Sequence, residues 1–480
     1  MTEGLSTAGS VTVEKVEIIN VRGNVADVTQ NTSYIEIFED IQNPFLTGNI
    51  SFNDPVNLKD LGPLVGQEIL RLKLKTDSME KDDEIIDSLF FMYDLVNSTE
   101  LNQFSRQHQY KFCSIEALEN NRTRISRPLR GTFSDMVKTI LRNDLKCKKD
   151  IWVEESAGIH QTVGTEISPL ALIDKIKRQT ISKSLNSPTY LFFETLNGFH
   201  FRSLENLYKG QIIQELLMHS EAGLAKDPKQ RGFSDVIQEL NTIRKLTLHT
   251  TMNNLSATSG GNYSSQVIEH DMFNKTVTHH TPYNYFDSFK KEKHINSFHG
   301  KDQAPFLSDV SVRGHKTRES DLNTKRYVCA TSYSDRNKKQ DSHYTDVKGN
   351  SLNLTGYTPE SWLPKRTSWM QNFDGIAAEV VVDGNTALRS GDIVKIDLPP
   401  NALIRQEDKT RPDRVYNGPF LVRNIMHKFI LGGQDNSHIM DMSCVKDCLE
   451  TDMESVDFET VPLTHGKSRK QKPKDYILTT

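Results

Sequence analysis

Two stretches of this chain repeat one pattern, and a repeat constrains a fold more than any single element does. Gly66-Gln67-Glu68-Ile69-Leu70-Arg71-Leu72-Lys73-Leu74 is echoed by Gly391-Asp392-Ile393-Val394-Lys395-Ile396-Asp397-Leu398, one residue shorter. The match then runs at a constant offset of 330 residues. Phe90 falls on Phe420, Leu95 on Ile425, His108 on His438, Tyr110 and Phe112 on Met440 and Met442, and Ile115 on Val445. Apolar residues at every second position mark strands with one face buried, because successive side chains point to opposite faces. The expected fold is β-rich α+β, with two related small antiparallel β-barrels flanking mixed α/β domains. Two similar units per subunit also serve symmetry. Three subunits then carry six near-equivalent units, and such a ring joins a six-fold object to a three-fold one.

The rest of the chain divides by pattern. Residues 1–115 read as the first barrel, with strands at Val11–Val21, Tyr34–Glu39, Asn49–Phe52, Leu70–Leu74 and Leu89–Leu95. Residues 116–205 read as a mixed α/β domain. Thr132 with Asp135 opens one helix, and Ser168-Pro169 opens another with proline at its first position. Asn197-Gly198 between apolar runs predicts a hairpin. Residues 206–270 and 371–446 supply the second barrel with its adjoining segments. They include a strand over Gln211–Met218, a helix over Ser234–Leu246 and a hairpin-type turn at Asp383-Gly384. Residues 271–370 are rich in Lys, Asp, Ser, His and Asn and read as a loop-rich insertion domain. The tail, 447–480, is acidic and then basic, and reads as disordered.

Charge and cysteine usage exclude several classes. The 59 basic and 63 acidic residues leave a net charge of -4, which gives no general argument for nucleic acid or an anionic membrane. Lys146, Lys148, Lys149 and the 466–474 stretch are basic but lack interleaved aromatics, so no specific nucleic-acid partner is expected. Five cysteines, at 113, 147, 329, 444 and 448, do not form a disulfide framework or a zinc set, and reduced thiols are expected. No signal peptide is evident, and no apolar run approaches the roughly 18–20 residues a bilayer span needs. A soluble protein folded in a cytoplasm, without membrane insertion, is the expectation.

The clearest stretches resemble a known family. SWMQNFDGIAAEVVVDGNTALRSGDIVKIDLPP, followed by NGPFLVRNIMHKFILGGQDNSHIMDMSCVKD, resembles the end of the central baseplate hub protein of contractile-tailed, T-even-type bacteriophages. The matching positions are Phe373, Asp374 and Gly375; Gly391; Phe420, Val422, Ile425 and His427; and His438. Val422 stands one place later than in the family pattern. NPFLTGNISFNDPVNLKDLGPLVGQEILRLKL resembles the opening barrel of phage tail hubs, an architecture shared with type VI secretion spike proteins. The resemblance covers roughly the first 115 and the last 80 residues. The chain is longer than the family type, with the excess in 281–370 and the tail. The resemblance implies a homotrimeric ring in the baseplate of the virion tail, assembled in the host cytoplasm. Its partners would be a tail tube initiator or tube protein, the central spike protein and the tape-measure protein, and the ring would later pass DNA. In that family cell-wall cleavage belongs to the spike polypeptide.

Chemical signatures are sparse. His270, His279, His280, His294 and His299 gather with Asp271, Asp287 and Glu292, but a metal site needs several of these held rigidly. Polar, loop-rich surroundings point instead to solvated histidines. No nucleophile elbow, P-loop or local carboxylate pair stands out. Glu116, Glu119 and the acidic run at 447–459 read as helix surface and tail, and His427 as a strand histidine. No catalytic, cofactor or metal residue is expected, and the chain reads as a non-enzyme. Interface residues are left open. Two other classes stay in view: a tail-associated cell-wall hydrolase, and a host-surface binding module using 281–370.

Overall fold

The computed structural model describes residues 8–449 apart from 57, 59–63, 77–84, 103–104, 219–237, 251–252, 273–274, 297–308, 313–314, 319–324, 331–358, 399–414 and 433–435. The N-terminal region holds β1 (Val11–Ile19), β2 (Val25–Asp27), β3 (Thr32–Asp40), β4 (Thr47–Asp54), β5 (Ile69–Thr76), β6 (Ile86–Asn102) and β7 (Ser105–Ser114). Next come β8 (Pro128–Gly131), β9 (Asp150–Val153), β10 (His160–Val163), β11 (Tyr190–Thr195) and β12 (Gly198–Ser203), then β13 (Ile212–Leu217) and β14 (Lys245–Thr250). β15 (Ser264–Asp271) closes the 206–270 segment, and the insertion then contributes β16 (Thr276–His279), β17 (Tyr283–Asn284), β18 (Asp309–Val312), β19 (His315–Arg318) and β20 (Lys325–Ala330). The chain returns to the main sheet with β21 (Ile376–Asp383), β22 (Ile393–Asp397), β23 (Gly418–Ile430) and β24 (Ser437–Lys446).

The repeat seen in the sequence is a repeat of topology. Five strands of the N-terminal half lie in the order β3-β4-β7-β6-β5, and five of the C-terminal half in the order β14-β21-β24-β23-β22. Details recur as well. A bulge falls between Met92 and Asp94 in β6 and between Val422 and Asn424 in β23, at the same offset of 330. The Met92 N–H donates to Glu68 O at 2.9 Å, and the Val422 N–H donates to Asp392 O at the same distance. A bulge leaves one residue outside the ladder and sharpens the local twist, so a shared bulge gives the two halves a shared curl. The flanking ladders differ: β1 runs antiparallel to β5, whereas β13 runs parallel to β22.

Two separate barrels were expected, and here the structure differs. The two halves share one thirteen-stranded sheet, joined where β23 pairs antiparallel with β3. Among the described residues no sheet closes into a barrel through its ladders. The physical reason lies in β23. Its first part, Gly418–Leu421, pairs with β22, and from Asn424 onward that side of the strand pairs with β3 instead. The sheet still curls. Ser10 bridges Ser437, and the His438 N–H donates to Gly9 O at 2.7 Å.

The cores follow the alternation. Leu70, Leu72 and Leu74 are fully buried in the N-terminal core, while Arg71 and Lys73 point outward to Glu17 and Glu14. Val394, Ile396, Phe420, Met440 and Met442 fill the C-terminal core. Phe429 and Leu431 come from the C-terminal half yet pack in the N-terminal core. In the middle region the Thr132 hydroxyl accepts the Asp135 N–H and caps the helix Phe133–Thr139. The β11–β12 hairpin turns at Leu196-Asn197, and Gly198 opens β12 with φ +146. A Cβ at Gly198 would stand 2.3 Å from Asp150 O, so only glycine fits.

Several local expectations are corrected. The helix expected over Ser234–Leu246 is present at 238–240, with 234–237 outside the described residues, but it stops short of Leu246, which belongs to β14 and packs with Leu248 on the C-terminal core. Asp383-Gly384 is not a hairpin turn. β21 pairs with β14 and β24, and the chain crosses from it to β22, which pairs with β13 and β23. A Cβ on Gly384 would lie 2.0 Å from the His438 ring, which explains the glycine by close approach. Within 271–370, Pro359–Asn372 is a helix that buries Trp362 and Trp369. Asp447, Cys448 and Leu449, expected in a disordered tail, are buried, and residues 450–480 lie outside the described set. No described helix is long and apolar enough to cross a membrane.

Leu72→Asp and Ile396→Asp each place a carboxylate in a dry core. Each should cost several kcal/mol, about 3–5, and yield insoluble or unfolded protein. Soluble, cooperatively melting variants would refute the assigned inward faces.

Candidate functional site

The seam between the halves gathers the buried polar groups that a sheet interior does not otherwise tolerate. Glu39, on β3, is 1% exposed. One carboxylate oxygen accepts the Leu196 N–H at 2.8 Å and the other accepts the Ser390 N–H at 2.9 Å. Burial pushes its pKa up, while the Arg389 guanidinium and these two donors hold it down. Arg389 also donates to Asn197 Oδ1 at 3.2 Å. Three regions therefore meet at one carboxylate: the N-terminal half, the β11–β12 turn and the β21–β22 crossover. A second junction ties the middle region to the N-terminal half. Lys149 pairs with Glu116 at 2.9 Å and with Glu194, whose carboxylate also accepts the Ser114 hydroxyl at 2.6 Å and the Leu46 N–H at 3.0 Å.

A buried histidine pair lies where the curl brings β5 to β24. His427 Nδ1 and His438 Nε2 are 3.1 Å apart, and His438 Nδ1 is 3.0 Å from the Thr76 hydroxyl. His427 Nε2 has no hydrogen-bond partner among the described residues. Placing a bare lone pair there makes His427 Nδ1–H the donor to His438 and His438 Nδ1–H the donor to Thr76. Both rings are neutral. Burial drives the His438 pKa down to about 3, and burial with the neighbouring His438 drives His427 well below its usual value.

The residues singled out by sequence disperse. His270 and His279 are exposed, and His299 lies outside the described residues. His280 faces Glu269 at 3.2 Å, and Glu292 pairs with Lys365 at 2.6 Å. Asp271 ends β15 and Asp287 is exposed on the helix Tyr285–Phe289. His294 is not solvated: it is buried against Phe289 and Trp369. Its Nδ1 faces Asp447 at 2.7 Å and its Nε2 faces Phe289 O at 2.8 Å. The Phe289 carbonyl accepts the Nε2–H, and His294 Nδ1, Asp447 and Cys448 bring ligand-type atoms within 4.8 Å of one another. Burial works against a charge on the ring, but Asp447 and the Phe289 carbonyl raise the pKa above its ordinary value. Cys448 stands beside this pair as a buried free thiol.

Lys149 is no open basic patch and Glu116 no surface acid, since each is held in the junction described above. All five cysteines are free. A pocket of about 300 Å³ opens beside β1 and β2, lined by Ile18, Asn20, Asn24, Val25, Ala26, Leu58 and Leu64. None of these side chains titrates, so the pocket offers no acid, base or nucleophile.

Glu39 and Arg389 escaped sequence reasoning, although a signal existed. In Ile35-Glu36-Ile37-Phe38-Glu39, strict alternation puts Glu39 on the same face as Ile35 and Ile37.

No protein-family model matches the chain, and no curated protein does. Solved structures do. A 43 kDa tail protein of prophage MuSo2 from Shewanella oneidensis aligns over 90% of this chain and 98% of its own, at TM-score 0.50 and 7% identity. A tail protein from Neisseria meningitidis MC58 aligns over 90% of this chain and 96% of its own, at TM-score 0.48 and 10% identity. An Escherichia coli component of the type VI secretion system, described as similar to T4 bacteriophage tail proteins, covers 90% of this chain and 77% of its own at TM-score 0.41 and 8% identity. The chain is thus similar in fold to a prophage tail protein.

The histidine pair predicts an acid sensitivity with a definite sign. The folded pKa values lie below the unfolded value of about 6.5, so the unfolded chain binds more protons between them. Stability should fall as pH drops below about 6.5, by up to ~1.4 kcal/mol per pH unit for each histidine. His427→Asn should flatten that slope in melts recorded from about pH 7.5 to 5, and an unchanged slope would contradict the neutral pair.

Proposed function

We propose that the chain is the structural hub of a phage baseplate. In this reading it forms a homotrimeric ring that adapts the six-fold tail tube to the three-fold central spike. The ring also admits the tape-measure protein and passes DNA. The observation that carries the proposal is the repeated five-strand unit, present twice in one continuous sheet. Three chains contribute six such units, and six near-equivalent units can face a six-fold tube while the assembly keeps three-fold symmetry. The fold likeness to a prophage tail protein supports the same reading.

In this reading each half is one ring unit. A single backbone contact precedes the first strand of each. The Val28 N–H reaches Val16 O ahead of β3, and the Ile243 N–H reaches Leu217 O ahead of β14. Residues 1–115, and 206–270 with 371–446, are the ring units in this proposal. Residues 116–205 and 271–370 are the domains they carry. The partners are the spike, the tube initiator or tube protein, and the tape measure, and the site of action is the virion tail. The proposed role is structural, and the buried polar groups at the seam serve it by joining segments of the chain.

Native mass of the full chain, alone and with its spike, tests the proposal. Three subunits in either state is the expected result, and a strict monomer in both would overturn it. A turbidity assay on cell-wall material separates the hydrolase alternative: the hub alone leaves the material unchanged.

A further inference from the structure

We infer that Glu269, His280 and Glu360 form a binding site for a divalent transition-metal ion of the zinc type. The site stands apart from the ring reading above and does not depend on it. One ligand atom from each of the three side chains lies within 4.8 Å of the other two. The backbone holds them there from three separate segments. Glu269 follows Ser265 and Val267 on the buried face of β15. His280 comes one residue after β16, which pairs with β15 from Ile268 to Asp271. Its N–H donates to Val267 O at 3.0 Å and its carbonyl accepts Gln266 Nε2 at 2.9 Å, so the residue is pinned on both sides. The helix Pro359–Asn372 packs on β15, with the Ser368 hydroxyl donating to Asn262 O at 2.5 Å, and its first turn carries Glu360.

Two of these side chains present buried atoms that the protein itself does not satisfy. Glu269 is 7% exposed, and its Oε1 has no hydrogen-bond partner among the described residues. Its Oε2 stands 3.2 Å from His280 Nε2, yet Nε2 makes no hydrogen bond among them either. Buried polar atoms are almost always paired, so each such exception needs a cause. A carboxylate oxygen and an imidazole nitrogen this close, with no hydrogen bond between them, fit two ligands of one ion. A tetrahedral site with metal–ligand distances of about 2.0 Å has edges of about 3.3 Å. Two carboxylates balance the charge of a dication. The imidazole favours zinc or a similar transition ion over calcium or magnesium, which take oxygen ligands. Three protein ligands leave the remaining coordination to water. The cluster at His294 differs, because its Nδ1 and Asp447 already hold each other at 2.7 Å. Metal at Glu269 would fasten the start of the helix Pro359–Asn372 to the sheet of the insertion.

Calorimetric titration of Zn2+ into the tag-free, chelator-treated full chain tests the site. One ion per chain should bind saturably and raise the melting temperature by at least about 2 °C. Glu269→Gln and Glu360→Gln should each weaken binding at least about tenfold, as loss of a ligand requires. Glu360 is only partly buried, so its variant keeps the test readable if Glu269→Gln disturbs the sheet. His270→Gln, on the exposed side of β15, should leave the affinity unchanged. No saturable binding would mean that protons neutralise the carboxylates, and would overturn the site. Binding that survives both glutamate variants, or that falls with His270→Gln, would mark an adventitious ion only and would overturn it as well.

Discussion

A carboxylate removed from water must be surrounded by donors, and the architecture turns on how Glu39 meets that demand. Its two oxygens draw backbone N–H groups from Leu196 and Ser390, segments far apart in sequence, and Arg389 supplies the compensating charge. Leaving any of these donors out would strand a buried charge, a cost of several kcal/mol. The carboxylate thus specifies where the middle hairpin and the C-terminal crossover must sit relative to β3. Lys149 with Glu116 and Glu194 does the same one layer away, and His294 with Asp447 does it for the insertion. Apolar burial supplies most of the stability, but it is non-directional. These polar junctions supply the registration.

The repeat explains why the seam can exist. Two units of one strand order carry the same bulge and the same backbone link beside it. An edge of one is therefore the natural partner of an edge of the other. The two units differ in their flanking strands: β1 runs antiparallel to β5, and β13 runs parallel to β22.

Much of this was legible from residue order alone. The alternation at Leu70–Leu74 and Ile393–Ile396, the cap at Thr132 and the hairpin near Asn197 are all local signals, set by side-chain period or by one turn. Sheet connectivity was not legible. Whether a strand continues one sheet or closes another depends on partners hundreds of residues away, and the alternation is identical in both cases. The same limit hid the fate of charged residues. Lys149, Glu116, His294 and Asp447 look solvated one at a time, and only their long-range pairing buries them. Glu39 and His427 were the exception. Each lies on the apolar face of its strand, so the period-two pattern already marked them as buried and in need of partners.

A two-unit protein usually has a hinge between its units, where few contacts cross. Here a backbone ladder crosses instead, and Phe429 and Leu431 of one half fill the core of the other. Bending the halves apart would require breaking several hydrogen bonds at once and opening a core to water. The pair therefore responds to load as a single stiff arc, and force applied at one end is carried through strands rather than through a linker.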